Sequence, residues 1–462
     1  MAKVYIKTYG CQMNARDSEQ VAQMFVERGY EITPEQRHAD VILINTCSVR
    51  DQAENKALGK MGSLARYHAG NPDIVYGYLG CMAQSRGPEL LESSPHVSLV
   101  AGTQKYHKVV DHVEAIMRER RKMEDPRFSI VDIEEQRGSQ NSIRDHLRKK
   151  YRATEFVSIM QGCNMKCSFC IVPSTRGAER ARPIAEIVEE VRRLAGEGVA
   201  EVTLLGQIVN LYGRTEMPRI DNKSPFVQLL EAVHEIEGIE RIRFTSPHPI
   251  GYRQDLIDAF SYLPKLADHV HFPIQSGSNA ILRAMRRPYT VEKFAGICAS
   301  MREARPGIAV TTDIIVGFPG ETEEDYAATR RAVEEIGFDN AFIFRYSRRR
   351  DTPAAELEDQ LPEALKQQRN QDLLELVNAM AVARNQALVG STLEVLCEGP
   401  SRNNSERLSG RTTTNRIVIF DGEPSRLTGR IFPVKIEQSS GFTLYGTPAL
   451  HPLREEVPAT AQ

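Results

Sequence analysis

Short apolar runs alternate with helix-patterned stretches through most of this chain, and no other feature restricts its fold as much. The first three runs are Val4 to Tyr9, Val41 to Thr46 and Ile74 to Leu79. Six more follow at 155–160, 200–206, 240–245, 268–274, 309–316 and 340–346. Strands that alternate with helices build parallel sheets, because each crossover returns the chain to the same edge. The expected fold class is therefore α/β: an N-terminal open parallel α/β domain, then a curved, partly open barrel of six βα units. From Ala381 the pattern changes to short strands with Gly and polar turns, at 392–396, 417–420, 429–434 and 442–446, which predicts a small β-barrel. Residues 119–148 are polar and charge-mixed and read as a linker. These shifts divide the chain into 2–118, the linker 119–148, 149–379 and 381–449.

Length and composition agree with such a layout. A chain of 462 residues with 41% hydrophobic residues can support about three cores. No apolar stretch approaches the roughly 20 residues that span a bilayer, and the start runs directly into a strand without a leader-like segment. A cytoplasmic protein without membrane contact is expected, in which thiols stay reduced. The net charge of −2 gives no bulk attraction to nucleic acid, so any RNA affinity must come from local patches.

The chemistry is carried by cysteines. Gly162-Cys163-Asn164-Met165-Lys166-Cys167-Ser168-Phe169-Cys170 places three thiols on one tight loop, at C-x3-C-x2-C spacing, directly after a predicted barrel strand. Three thiolates can hold three irons of a 4Fe-4S cube and leave the fourth open to a small molecule. Structural zinc normally takes four ligands in two pairs, and no partner pair follows here. A disulfide framework belongs to short secreted chains, not to one with 8 cysteines in 462 residues. A strand ahead of the loop puts it at the carboxyl end of the barrel, where βα barrels keep their active sites.

Cys11, Cys47 and Cys81 each stand at the end of one of the first three strands. Carboxyl ends of strands in an open parallel sheet lie along one edge, where ligands bind, so these three should converge. A second 4Fe-4S cluster is the favoured reading. Zinc, or three small buried thiols, are the alternatives. Cys298, in a helical stretch, and Cys397, in the small barrel, read as structural. Arg402, Arg407, Arg411 and Arg416, interleaved with Asn and Thr, suit phosphate and base-edge contacts, although nearby Glu394, Glu398 and Glu406 also allow a plain solvated loop.

The C-x3-C-x2-C loop resembles the signature of radical S-adenosylmethionine (SAM) enzymes. The whole chain resembles the methylthiotransferases, and within them the branch acting on isopentenylated adenosine in tRNA. That resemblance rests on Tyr9-Gly10-Cys11-Gln12-Met13-Asn14, Asn45-Thr46-Cys47-Ser48-Val49-Arg50 with Ala53-Glu54-Asn55-Lys56, Gly80-Cys81-Met82-Ala83-Gln84, the Gly162 to Cys170 loop and Ile171-Val172-Pro173-Ser174-Thr175-Arg176-Gly177. Gln275-Ser276-Gly277-Ser278 and Thr312 to Glu321 extend it. It implies a TRAM module at the C-terminus and sulfur plus methyl insertion at C2 of the adenine beside the anticodon. One SAM would methylate a sulfur on the Cys11/Cys47/Cys81 cluster. A second, cleaved at the Cys163/Cys167/Cys170 cluster, would give the 5'-deoxyadenosyl radical that takes the C2 hydrogen. An aromatic C–H is too strong and too weakly acidic for a protein base, so cofactors must supply that reactivity.

The resemblance also implies tRNA carrying N6-dimethylallyladenosine as partner, an electron donor such as flavodoxin or ferredoxin, and iron-sulfur assembly proteins. Phe169 would pack near the SAM adenine, while Gly206, Gln207 and Gln275, at strand ends, would contact SAM or substrate, or simply pack the barrel mouth. No catalytic residue beyond the cluster ligands is assigned. Two positions depart from the family pattern: Ile208 stands where Asn is common, and Asp351 where Gly is. Rival readings are a threonylcarbamoyl-adenosine substrate, a ribosomal-protein aspartate, and a non-catalytic RNA-binding protein with zinc. The segment after Cys47 resembles the tRNA enzymes.

Overall fold

Alternation in the first domain builds a six-stranded, all-parallel sheet in the order Glu31–Ile32, Lys3–Tyr9, Val41–Thr46, Val75–Gly80, Val97–Ala101 and Ile130–Asp132. The computed structural model describes residues 1–48, 51–69, 71, 73–122, 128–147 and 152–449. Helices cover both faces because successive strand residues point opposite ways. Val41 and Leu43 pack under Val21, Phe25 and Val113 on one face, while Ile42 and Ile44 meet Ala57 and Met61 on the other. The strand order reverses direction between Lys3–Tyr9 and Val41–Thr46, and the crevice at such a reversal is where open α/β sheets bind ligands. Cys11 and Cys47 follow those two strands. The edge strand Ile130–Asp132 lies inside the stretch read as a linker, so part of that stretch completes the first sheet. Arg148 to Lys150, also assigned to the linker region, fall outside the described residues.

The six predicted barrel strands form at Thr154–Ser158, Glu201–Leu205, Arg241–Phe244, His269–His271, Ala309–Val316 and Asn340–Arg345, all parallel in two sets of three. A bridge from Ile242 to Leu266 joins the sets into an open barrel. Phe226, Phe244, Phe260, Phe272, Phe294 and Phe338 fill the layer between strands and helices. The 24-residue helix Glu363–Gln386 then leads to a closed five-stranded barrel of Thr392–Pro400, Leu408–Thr412, Ile417–Phe420, Ile431–Ser440 and Thr443–Pro448. Among the described residues no helix is long and apolar enough to cross a membrane.

Docking of the small barrel answers what Arg411 and Arg416 do. Arg241 donates to the Arg411 carbonyl (3.1 Å), and Arg243 to the carbonyls of Thr412 (2.7 Å) and Thr413 (3.0 Å). Arg416 pairs with Asp339 (3.1 Å) and donates to Asn385 (2.9 Å), and Arg411 pairs with Glu398 (3.0 Å). Arg241, Asp268 and Asp339 stand at the amino ends of barrel strands, the end where conserved chemistry gives way to stability. The backbone of the Arg411–Thr413 stretch and the Arg416 side chain are therefore drawn into an intramolecular interface, while the Arg411 side chain stays one-third exposed. Arg402 is exposed, and Arg407 is half-buried, pairing with Asp421 (2.8 Å).

Candidate metal centres

The Gly162–Cys170 loop is clamped from every side. Its entry, Met160–Gln161, pairs antiparallel with Arg180–Ala181, and Gly162 has φ +81°, where a Cβ would lie 1.9 Å from the Ala178 carbonyl oxygen, so only glycine fits. Gly162 N–H donates to Gln207 Oε1 (2.6 Å) and Cys163 N–H to the Gly177 carbonyl (3.0 Å). Asn164 and Glu179 exchange two hydrogen bonds, and Arg214 grips Glu179 through two nitrogens (2.6 and 2.9 Å). At the far side, Ser168 donates through N–H to Met285 O (3.1 Å) and through Oγ to Ala284 O (2.8 Å). Arg287 Nη1 donates to Cys167 Sγ at 3.3 Å. Burial pushes the Cys163 thiol up to about 12 and the Cys170 thiol up to about 11, so thiolates here require a cation.

In the first domain, Cys11 caps the helix Gln12–Glu27, Cys47 follows Val41–Thr46, and Cys81 opens the helix Cys81–Arg86. Cys47 lies within hydrogen-bonding reach of both other thiols. Its hydrogen bonds pull Cys11 and Cys81 down to about 6 against the cost of burial, assisted by the charge of Arg176, while Cys47 itself is pushed up by the same bonds. A Cβ on Gly10 would lie 2.8 Å from Cys47 Cβ, so the close approach depends on glycine. Asn14 and Asn45 brace the strand ends: Asn14 Nδ2 donates to Asn45 Oδ1 (3.1 Å), and Cys11 Sγ donates to Asn14 Oδ1 (3.2 Å).

One segment links the two triads across a domain boundary. Arg176, six residues after Cys170 in the helix Val172–Arg176, crosses that boundary and pairs with buried Asp17 at 2.7 Å. Thr103 Oγ1 donates to the Thr175 carbonyl (2.6 Å) beside it. The segment leaving one cysteine triad thus seals the other. Arg176, Arg287 and the Arg214–Glu179 pair were not singled out as functional residues from sequence. Arg176 lies in the quoted Ile171 to Gly177 motif, but only the packing shows that it faces Cys11 and Cys81.

Each triad offers three sulfurs, with the Arg176–Asp17 pair beside Cys11 and Cys81 and Glu179 beside Cys163. Tetrahedral zinc with Zn–S bonds near 2.3 Å draws thiolates to about 3.8 Å of one another. Among the described residues, the group of potential ligands whose atoms all lie within 4.8 Å of one another is Glu19, His146 and Glu155, and neither cysteine triad is that tight. Cys298 and Cys397 are buried, unpaired and distant in the fold from either triad.

Of the other residues named from sequence, Phe169 is half-buried against Ile281, Met285, Phe318, Tyr346 and Ala354. Gly206 is buried, and a Cβ there would meet Met160 at 2.5 Å. Gln207 supports the cysteine loop through Gly162. Gln275 is buried with φ +71°, its N–H bound to the Asp313 carbonyl (2.9 Å). All four border the carboxyl end of the barrel, with Gly206 and Gln207 on the loop-supporting side.

Comparison with known proteins gives a consistent outcome. The Radical SAM superfamily pattern matches residues 157–333, that of Uncharacterized protein family UPF0004 matches 3–102, and that of the TRAM domain matches 386–449. A tRNA-2-methylthio-N(6)-dimethylallyladenosine synthase from Akkermansia muciniphila is 61% identical over 97% of this chain and 99% of its own length. Proteins of the same name from Methylacidiphilum infernorum and Moorella thermoacetica are 52% and 44% identical, over 98% and 96% of this chain and 96% and 97% of theirs. In fold, the chain is similar to the radical SAM methyltransferase TsrM from Kitasatospora setae, with TM-score 0.54 and 13% identity over 87% of this chain and 79% of that one.

Proposed function

The chain belongs to the family of tRNA-2-methylthio-N(6)-dimethylallyladenosine synthases, and on that footing we propose that it places sulfur and a methyl group at C2 of N6-dimethylallyladenosine in tRNA, as a radical SAM methylthiotransferase. Support comes above all from one observation: Arg176, in the segment that follows the Cys163–Cys170 loop, places its charge beside Cys11 and Cys81 and pairs with Asp17 of the first domain. Cys163, Cys167 and Cys170 would hold one 4Fe-4S cluster, and Cys11, Cys47 and Cys81 an auxiliary one. When bound, the first supplies the low-potential electron that opens SAM for removal of the C2 hydrogen, and the second carries the sulfur.

The chain's own residues position and protect. Gln207, the Asn164–Glu179 exchange and Arg214 fix the loop so that three thiolates point to one place. Phe169, backed by Phe318 and Tyr346, gives an apolar wall for the SAM adenine, and Gly206 and Gln275 shape the mouth beside it. Arg176 supplies a permanent positive charge beside Cys11 and Cys81, where an anionic centre would otherwise be buried without compensation. The Thr103–Thr175 hydrogen bond holds the two domains together beside that charge.

Further parts of the reading extend beyond the chain. Arg402 and Arg407 on the exposed side of the small barrel would meet tRNA phosphates. A flavodoxin- or ferredoxin-type donor and iron-sulfur assembly proteins would serve the enzyme in the cytoplasm, and the divisions 2–118, 119–148, 149–379 and 381–449 would be its functional units. Relatives along the full length carry the dimethylallyladenosine name, which favours that substrate over threonylcarbamoyl-adenosine or a ribosomal aspartate. Iron and sulfide content tests the whole: about eight irons per chain should fall to about four in a Cys163/Cys167/Cys170→Ala variant. A fall from about four to none would remove the auxiliary centre, and colourless, zinc-loaded protein would overturn the reading.

A further inference from the structure

The sulfurs of the Cys163/Cys167/Cys170 loop are not electrostatically alike. Cys163 Sγ accepts a backbone N–H from Met165 (3.4 Å), whereas Cys167 Sγ accepts from a buried guanidinium, Arg287 Nη1, at 3.3 Å. Nothing about that arginine is loose. Arg287 Nε donates to the Tyr289 hydroxyl (2.9 Å), which in turn donates to the Ile274 carbonyl (3.0 Å). The helix Asn279–Ala284 ends in a left-handed residue, Arg286 (φ +55°), and Arg287 N–H bonds back to the Leu282 carbonyl (2.8 Å). The same helix end presents the Ala284 and Met285 carbonyls that hold Ser168. One turn therefore fixes both the Cys167–Ser168 backbone and the charge at the Cys167 sulfur.

Resting on the reading that Cys163, Cys167 and Cys170 hold a 4Fe-4S cluster, we propose that Arg287 is a positioning residue that raises the reduction potential of this cluster by holding a permanent cation on the Cys167 thiolate. Reduction adds one electron to the cluster from a low-potential one-electron donor, which is oxidised by one electron. No bond breaks and no proton moves. The reduced cluster carries one more negative charge, and potentials of such clusters follow net charge and hydrogen bonds to their sulfurs. A guanidinium remains charged across the working pH range, so the effect does not titrate away.

The test is an EPR-monitored redox titration of the full chain without SAM, in a Cys11/Cys47/Cys81→Ala parent so that a single cluster is observed. Arg287→Gln should bind the parent's iron and hold at least tenfold less reduced cluster at a given applied potential, about 59 mV for a one-electron couple. Arg287→Lys, which keeps the charge, should stay within about threefold of the parent, roughly half that shift. An unchanged midpoint in Arg287→Gln, or equal falls in both variants, overturns the proposal. Should Arg287→Gln lose its iron, Arg287→Lys decides: a midpoint near the parent's supports the charge, and a tenfold fall rejects it. A parent that binds no iron overturns the cluster reading itself, whereas iron with a midpoint insensitive to Arg287 overturns this inference alone.

Discussion

Arg176 shows how a single side chain can belong to two domains. It leaves the loop of one cysteine triad, buries its guanidinium beside the other and pairs with Asp17, both side chains being almost fully enclosed. Removing one partner of such a pair leaves an uncompensated buried charge at a cost of about 3–5 kcal/mol. Arg176→Met should therefore lower the unfolding free energy of the metal-free protein, read from urea titration, by that order, and Arg176→Met with Asp17→Asn should recover part of the loss. Equal stability of Arg176→Met and wild type would remove the pair from the interdomain bond. At this scale the sequence was legible wherever backbone geometry restricts residue type: Asp351, at a position where the family commonly has Gly, adopts φ +60°, which Asp tolerates better than most residues. Ile208, the other departure, is buried.

Elements were read well where their hydrophobic period was strong and poorly where pairing alone makes a strand. All six barrel strands fell where the apolar runs placed them. Leu408–Thr412 was passed over as a connecting stretch because Ser409, Gly410 and Arg411 carry no strand signal. It becomes a strand by pairing with Thr392–Pro400 on one side and Ile417–Phe420 on the other. Ile130–Asp132 is likewise three residues long, and only the neighbouring Val97–Ala101 gives it a ladder. If the exposed side of the small barrel meets phosphate, Arg402→Ala and Arg407→Ala should each weaken tRNA binding across sequences and reduce the slope of log affinity against log salt by about one. Fluorescence-detected titration at several salt concentrations reads this, and an unchanged slope in the double variant would place the tRNA elsewhere.

On the scale of the whole molecule, a buried network ties the first domain to the barrel. His146, from the segment 128–147, contacts Glu190 (2.8 Å), Glu19 (3.3 Å) and Glu155 (3.7 Å), with Arg16 and Arg182 beside them. Burial pulls the imidazole down, but the three carboxylates outweigh it and lift the group to about 9. Its value is raised above the unfolded one near 6.5, so its stabilisation is full below about pH 6.5 and disappears as pH rises through 9. The stability difference between wild type and His146→Gln should accordingly shrink by on the order of 1–3 kcal/mol between pH 6.5 and 9.5 in paired urea titrations. A difference constant over that range would mean the histidine is neutral in the folded protein.

What the sequence determined by itself is the set of parts: a parallel α/β domain, an open βα barrel with a three-cysteine loop after its first strand, a small β-barrel, and cysteines at the ends of three successive strands. Those follow from periodicity and spacing, which act over a few residues and survive any arrangement of domains. Only the tertiary structure decided that Arg176 faces Cys11 and Cys81, that Arg287 rests on Cys167, and that Arg241, Arg243 and Arg416 dock the small barrel against the larger one. Each of those contacts joins groups far apart in the chain, and its geometry depends on how whole layers pack, a quantity no local pattern of residues encodes.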